Sequence, residues 1–230
     1  LMSWIGWTLI RAQMFTLLWL AVLLTCLDAD RRGERRWIRP WLIAWVLWVN
    51  LHGGIAVGMA VLALETLERG AHGERVRHLL GTLGAMAVLI AVNPYGLAYY
   101  PYLWDALAMD RSLISEWRPL LAAPPVRIGS VAVAMVIAAY AVAKVGLRRA
   151  TGWPLLLAAA YEAVRHERHV SLFALVWFTQ VPALVSGTRL GVVLDRLYAR
   201  ARVPIVTVIL LLGLTLIVRE QAWRVRIPGT

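Results

Sequence analysis

The sequence is poor in cysteine, in charge and in acidic residues, and each shortage excludes a class of protein. Cys26 is the only cysteine, so no disulfide can form within the chain. Charged residues make up 16% of the 230 residues and hydrophobic residues 60%, which is far from the composition of a soluble domain. Acidic residues number 13 against 24 lysines and arginines. These basic residues lie between apolar runs, where they are better explained as topology determinants than as a nucleic-acid surface, so we expect no nucleic-acid partner.

The alternating pattern of a β-strand is also absent, whereas apolar runs recur along the whole chain. Only helices and closed barrels satisfy their backbone groups in lipid, and the runs recur about every 15–25 residues, as in polytopic helical proteins. The sequence therefore predicts an all-α transmembrane bundle of about eight segments, forming a single integral membrane domain over residues 1–230. The predicted spans are 10–28, 37–51, 54–68, 79–93, 129–147, 152–164, 170–187 and 203–218.

The start of the chain and the shortest spans lead to two further expectations. Leu1-Met2-Ser3 is not followed by the basic region and cleavage site of a signal peptide, and we expect a fragment of a longer membrane protein. Spans 37–51 and 54–68 are shorter than the ~20 residues of a full crossing. Residues 40–64 could form one helix, but we expect a hairpin of two short helices, because Gly53 and Gly54 relax the backbone between them.

The distribution of basic residues predicts the orientation of the chain. Threading the spans places 15 lysines and arginines on one side and 9 on the other. By the positive-inside rule the first side is cytoplasmic in a bacterial inner membrane. The polar clusters that interrupt the apolar runs then face the periplasm or exterior. Residues 94–128, rich in tyrosine and tryptophan, are predicted to form an external loop with an interfacial helix.

Ionisable groups at membrane depth are costly, so these polar clusters are the candidate substrate site. A guanidinium can contact a phosphate through two hydrogen bonds, and the run at 165–169 contains two arginines and two histidines. A solvated turn with headgroup contacts is the alternative for that run. The candidate substrate-binding residues are Arg11, Gln13, His52, Asn93, Tyr95, Arg165, His166, Arg168 and His169.

Three further features complete the prediction. Glu116 beside Trp117 is the candidate catalytic acid or base, because a buried carboxyl can exchange protons near neutral pH. A zinc site is ranked below an anion site, because no helical His-Glu-x-x-His pattern is present. No metal ligand is assigned, and the cofactor stays open: a divalent metal is possible but not indicated. The tryptophans at 37, 41, 45 and 48 share one helical face, which is predicted to face lipid or the interface. The histidines at 72 and 78 are predicted to be solvated, without a role.

Several short motifs resemble those of bacterial polytopic proteins similar to GT-C-type glycosyltransferases, whose relatives in architecture transfer mannose or aminoarabinose from polyprenyl phosphates. The motifs are Arg11-Ala-Gln13-Met-Phe-Thr, Asn50-Leu-His52-Gly-Gly54, Asn93-Pro-Tyr95-Gly, Ser115-Glu116-Trp117 and Arg165-His-Glu-Arg-His169. The resemblance implies an outward-facing site within the membrane, with His52 and Arg11 near the lipid phosphate. The acidic residue of the family's first external loop has no counterpart here, so the chain is expected to lack that catalytic loop.

The function implied by this resemblance is transfer of a sugar from a polyprenyl-phosphate donor to a glycan, lipid or protein acceptor at the outer face of the membrane. The expected partners are this donor, the acceptor and the membrane lipids. Two alternatives stay open. One is a ligase or polymerase of surface polysaccharide, which handles a lipid diphosphate. The other is a transporter-type or structural membrane protein, although no internal repeat of the kind common in transporters is evident.

Overall fold

The computed structural model describes residues 13–110, 117–197 and 199. All regular secondary structure within these ranges is helical, which confirms the predicted all-α class. Arg11, Glu116 and the predicted span 203–218 lie outside the described residues.

The described chain forms eight α-helices before residue 187. They are α1 (Gln13–Arg31), α2 (Ile38–Leu51), α3 (Ile55–Ala71), α4 (Arg77–Leu89), α5 (Tyr99–Ala108), α6 (Pro125–Val145), α7 (Trp153–Arg165) and α8 (Val170–Ser186). Turns of 3-10 helix lie at Gly96–Ala98, Leu120–Ala122 and Glu167–His169. Residues 189–197 are also helical and belong to a separate compact unit that begins at Val185.

Three segments are long and apolar enough to cross a membrane: Gln13–Arg31, Pro125–Val145 and Glu167–Ser186. They correspond to three of the eight predicted spans, and they support a membrane protein. The helices Ile38–Leu51 and Arg77–Leu89 are apolar but shorter than a full crossing needs. Helix α3 carries Glu65, Glu68 and Arg69 in its last turns, and so many charges are costly within lipid.

The helical structure is interrupted between α2 and α3, in a region where the sequence is compatible with either one helix or two. Helix α2 ends at Leu51, His52 is extended with φ −160° and ψ 137°, and α3 begins at Ile55. Residues 40–64 therefore form two helices. Gly58 lies one turn into α3, where a Cβ would stand 2.7 Å from a ring carbon of Trp48. Its missing side chain lets α3 approach the tryptophans of α2 closely.

The tryptophan stripe of α2 faces the interior of the bundle, so its predicted lipid-facing position is wrong. Trp41, Trp45 and Trp48 are 2%, 0% and 0% exposed. Trp45 Nε1 donates to the backbone oxygen of Met86 at 2.8 Å, and Trp41 Nε1 lies 3.3 Å from Met86 Sδ. Helical spacing defines which residues share a face, but the neighbour of that face is decided by packing, here against α4.

A buried ionic network joins one end of the bundle, and Asp30 lies at its centre. The Asp30 carboxylate accepts hydrogen bonds from Trp37 Nε1 at 3.0 Å and Arg69 Nη1 at 2.7 Å, and lies 2.8 Å from His78 Nε2. The Asp30 side chain has no exposed surface. His78 is therefore not the solvated residue that the sequence predicts. The first turn of α4 holds it against the end of α1, whereas His72 is exposed.

A second set of contacts extends this network to α7. Arg31 donates to both carboxylate oxygens of Glu65, at 2.8 and 2.5 Å. Glu68 accepts the backbone N–H of Gly152, just before α7, at 2.7 and 3.0 Å. Buried charges require such partners, because an unpaired ion in the interior is strongly unfavourable. The network thus fastens α1, α3, α4 and the start of α7 to one another.

Replacing Asp30 by asparagine should destabilise the protein by about 1.5–3 kcal/mol, because Arg69 loses one charged hydrogen-bond partner and keeps Glu74, 2.7 Å from its Nε. Asp28→Asn is the matched control on the same helix. Asp28 pairs with Arg32 at the surface, with 67% of its side chain exposed, and its loss should cost less than about 1 kcal/mol. Unfolding in mixed detergent micelles measures both. Equal effects of the two substitutions would contradict the role of the network.

Candidate functional site

The opposite end of α1 meets the turn between α7 and α8. Gln13 Nε2 donates to the backbone oxygen of Arg168 at 3.2 Å, across a separation of 155 residues. Arg168 is the middle residue of the 3-10 turn Glu167–His169. Two predicted site residues that are distant in sequence are thus neighbours in the fold.

Arg168 is held by an aromatic ring. Its guanidinium carbon lies 4.7 Å from the centre of the Trp117 ring. A cation above an indole face is stabilised by the ring's electron density, and tryptophan is the strongest aromatic partner in this respect. A planar guanidinium in such a position can contact a phosphate through two hydrogen bonds.

His52 lies close to this cation at the break between α2 and α3. Burial lowers the pKa of His52, and the positive charge of Arg168 lowers that pKa further. The imidazole is therefore neutral at pH 7, with one N–H donor and one acceptor. A Cβ on Gly54 would lie 3.0 Å from His52 Cδ2 and would overlap Thr16 Oγ1. Thr16 is buried, and its hydroxyl has no hydrogen-bond partner among the described residues.

The two histidines of the turn pack around Trp117. The centres of the His166 and His169 rings lie 4.8 and 5.5 Å from the Trp117 ring and 5.4 Å from each other. His166 Nδ1 is 3.0 Å from the backbone oxygen of Trp117, and His169 Nδ1 is 3.1 Å from Glu162 Oε2. We call Gln13, Thr16, His52, Trp117, Glu162, His166, Arg168 and His169 the cationic cluster.

The turn is fastened to the chain that follows Trp117. The N–H of Glu167 donates to the backbone oxygen of Arg118 at 2.9 Å. The Glu167 carboxylate forms an ion pair with Arg127 in the first turn of α6. The charge of Glu167 is thereby paired with Arg127, and Arg168 places a second guanidinium at the same turn. This is an arrangement suited to an anion.

Three other predicted site residues lie in local arrangements of their own. Arg165 is exposed, and its Nη1 donates to the Tyr161 hydroxyl at 3.0 Å. Asn93 Oδ1 accepts the backbone N–H of Tyr95 at 2.7 Å, which is the hydrogen bond of an Asx turn. Tyr95 is 72% exposed and stacks on Tyr99, with ring centres 6.1 Å apart. The structure therefore gathers Gln13, His52, His166, Arg168 and His169, and gives the other three separate local contacts.

The predicted external segment 94–128 contains helix α5 in its described part. This helix exposes Trp104 and Leu107, at 74% and 65% of their surface. Large apolar side chains with a polar indole N–H are typical of helices at a membrane interface. The interfacial position of α5 stays a prediction.

Sequence reasoning missed Thr16 and Glu162 as members of the cationic cluster. Thr16 lies three residues after Gln13 in the same helix, a spacing that places both on one face and could have identified it. Glu162 precedes His169 by seven residues, but the helix ends at Arg165 and a 3-10 turn intervenes. Helical periodicity does not extend across that break, so no sequence pattern indicated the contact.

Within residues 13–110 and 117–197, no three histidine, cysteine, aspartate or glutamate side chains are grouped so that they could hold a metal ion. The chain was also compared with protein-family models, curated proteins and solved structures, and none of them matches. The family resemblance therefore rests on the short motifs of the sequence alone.

Gly54→Ala should lower the apparent melting temperature in detergent by several degrees, because the new Cβ overlaps the Thr16 side chain. Overpacking of this kind costs about 1–3 kcal/mol. Gly53→Ala is the matched control, since a Cβ there meets no atom within 4 Å. Thr16→Ala removes the overlapping oxygen, so the double variant should recover part of the loss. An additive double variant would contradict the contact.

Proposed function

We propose that the chain forms the phosphate-binding part of a membrane-embedded glycosyltransferase-like protein, which transfers a sugar from a polyprenyl-phosphate donor at the outer face of a bacterial inner membrane. The observation that carries the proposal is Arg168. Its guanidinium stacks on Trp117, its charge acts on His52, and its backbone is fastened to Gln13. A fixed cation of this kind suits a phosphate that must be bound in one orientation.

The depth of the cationic cluster supports a ligand at the membrane boundary. Arg168 lies at the start of the apolar segment Glu167–Ser186, and its backbone oxygen accepts a hydrogen bond from Gln13 of α1. The ends of helices that cross a bilayer lie near its two interfaces. A cluster built around the start of this segment would lie at headgroup level. A lipid phosphate occupies this level, with its chain in the hydrocarbon region.

The two ends of α1 differ in a way that supports the outward orientation. The cationic cluster lies at the start of α1 and the Asp30 network at its end, separated by the ~28 Å that 19 helical residues span. The loop that follows Asp30, residues 31–39, contains five arginines. By the positive-inside rule that end is cytoplasmic, and the cationic cluster faces the periplasm.

The chemistry of the cluster matches the needs of a leaving phosphate. When the bond between sugar and phosphate breaks, negative charge accumulates on the phosphate oxygens. Arg168 would stabilise this charge, and preorganised stabilisation of this type is commonly the largest catalytic contribution. His52, which is neutral, would donate its N–H to a phosphate oxygen. Arg165 lies at the exposed edge and would attract the phosphate rather than hold it. From the sequence, Glu116 is the candidate acid or base.

The proposal predicts a graded loss of binding among three arginines. In lipid nanodiscs, Arg168→Ala should weaken binding of undecaprenyl phosphate about 10–100-fold, equivalent to about 1.4–2.8 kcal/mol. Arg165→Ala should weaken it less, because that guanidinium is exposed and already contacts Tyr161. Arg148→Ala is the control. Arg148 is exposed and follows the C-terminal end of α6, whereas the ion pair with Glu167 lies at the N-terminal end of this helix.

Two results would count against the proposal. Unchanged binding by the Arg168 variant would remove the phosphate site. Clearly tighter binding of undecaprenyl diphosphate than of the monophosphate would favour the polysaccharide ligase or polymerase instead. Release of undecaprenyl phosphate from a sugar-linked donor by the intact protein separates a transferase from a transporter-type protein, which would bind the lipid without cleaving it.

A further inference from the structure

We propose that His169, positioned by Glu162, is the base that takes the proton from the acceptor hydroxyl. This inference rests on the proposed function and names a residue for a role that the sequence gives to Glu116. It follows from the pairing of an imidazole and a carboxylate next to the Arg168 cation.

The contact between the two side chains has the geometry of a histidine–carboxylate pair. His169 Nδ1 lies 3.1 Å from Glu162 Oε2. A carboxylate at this nitrogen keeps the proton on Nδ1 and leaves the lone pair of Nε2 as the acceptor. The same carboxylate stabilises the imidazolium that forms when Nε2 takes a proton, as in other enzymes that use a histidine base.

Two aromatic rings pack against the His169 ring. Trp117 and His166 both contact it edge-on, at interplanar angles of 75° and 84°. The charged and titratable groups around it are Glu162 on α7 and Arg168 and His166 on the same connection. About 18% of the His169 side chain is exposed, so a substrate group can reach it.

The other two histidines of the cluster are less suited to this role. His166 Nδ1 is bonded to the backbone oxygen of Trp117, which orients the ring but supplies no full negative charge. His169 alone among these three histidines is paired with a carboxylate.

The turn places the base and the phosphate-binding cation beside the same ring. Arg168 and His169 are consecutive residues of a 3-10 helix. The Arg168 guanidinium carbon lies 4.7 Å and the His169 ring centre 5.5 Å from the centre of the Trp117 ring. A sugar bound beside the turn could therefore have its phosphate at Arg168 and its acceptor at His169.

The proposed step balances in atoms and charge. The acceptor oxygen forms a bond to the anomeric carbon of the sugar while its proton moves to His169 Nε2. The bond between that carbon and the phosphate oxygen breaks, and the polyprenyl phosphate leaves with the electron pair. Arg168 stabilises the phosphate charge, Glu162 stabilises the imidazolium, and the proton is later released to water. No oxidant or reductant is required.

The test uses the intact protein in membranes, with a sugar-linked undecaprenyl phosphate that the wild-type protein cleaves, and follows the release of undecaprenyl phosphate. His169→Gln should reduce kcat at least about 100-fold while binding of undecaprenyl phosphate is kept. His72→Gln is the matched control, because this histidine is exposed and lies beyond α3, at the end of the bundle that carries the Asp30 network.

Glu162→Gln gives a result that a purely structural contact would not produce. Because the carboxylate favours the protonated ring, its removal should move the acid limb of the kcat/KM profile to lower pH, with about a 10-fold lower rate. An unchanged pH profile, or wild-type kcat in His169→Gln, would overturn the assignment of the base. The phosphate site is tested separately, since a failure of the proposed function would appear as undecaprenyl phosphate binding that does not depend on Arg168.

Discussion

The structure depends on how a predominantly apolar chain accommodates its few buried charges. Asp30 has no exposed side-chain surface, and its carboxylate is stabilised by Trp37, Arg69 and His78 from three different parts of the chain. An unpaired carboxylate at this position would be strongly unfavourable, so the partners must be brought together for the helices to pack. Once α1, α3 and α4 are fastened at this end, the register of each helix is set along its whole length.

That register decides what lies at the other end of α1. Because α1 is one uninterrupted helix, fixing Asp30 also fixes Gln13 and Thr16 in depth and rotation. Gln13 then meets the turn that contains Arg168, and Thr16 meets the break that contains His52 and Gly54. The charged groups of the Asp30 network are structural, because they form ion pairs and hydrogen bonds with one another. The cationic cluster presents the Arg168 guanidinium over the Trp117 ring, and such a group can contact an anion.

Residues 52–54, between α2 and α3, and the 3-10 turn at 167–169 both contribute side chains to the cationic cluster. In the middle of a helix the backbone groups are hydrogen-bonded within the helix, and the side chains project away from the helix axis. An extended residue such as His52 or a short 3-10 turn redirects side chains toward the helix ends. Aromatic packing on Trp117 then limits their motion. The candidate site is thus built from interruptions in helices, supported by rigid helices on either side.

Local patterns in the sequence were sufficient for the helical class, the three long apolar segments and the charged run at 165–169, because hydropathy and helix length depend on neighbouring residues. They also identified Gln13, His52 and Arg168 as unusual for their surroundings. Tertiary structure alone decided that the tryptophan stripe faces α4, that His78 binds Asp30 and that Glu162 pairs with His169. Helical periodicity shows which residues share a face, but not which neighbour that face meets. Contacts such as Gln13 with Arg168, 155 residues apart, arise only when the helices pack.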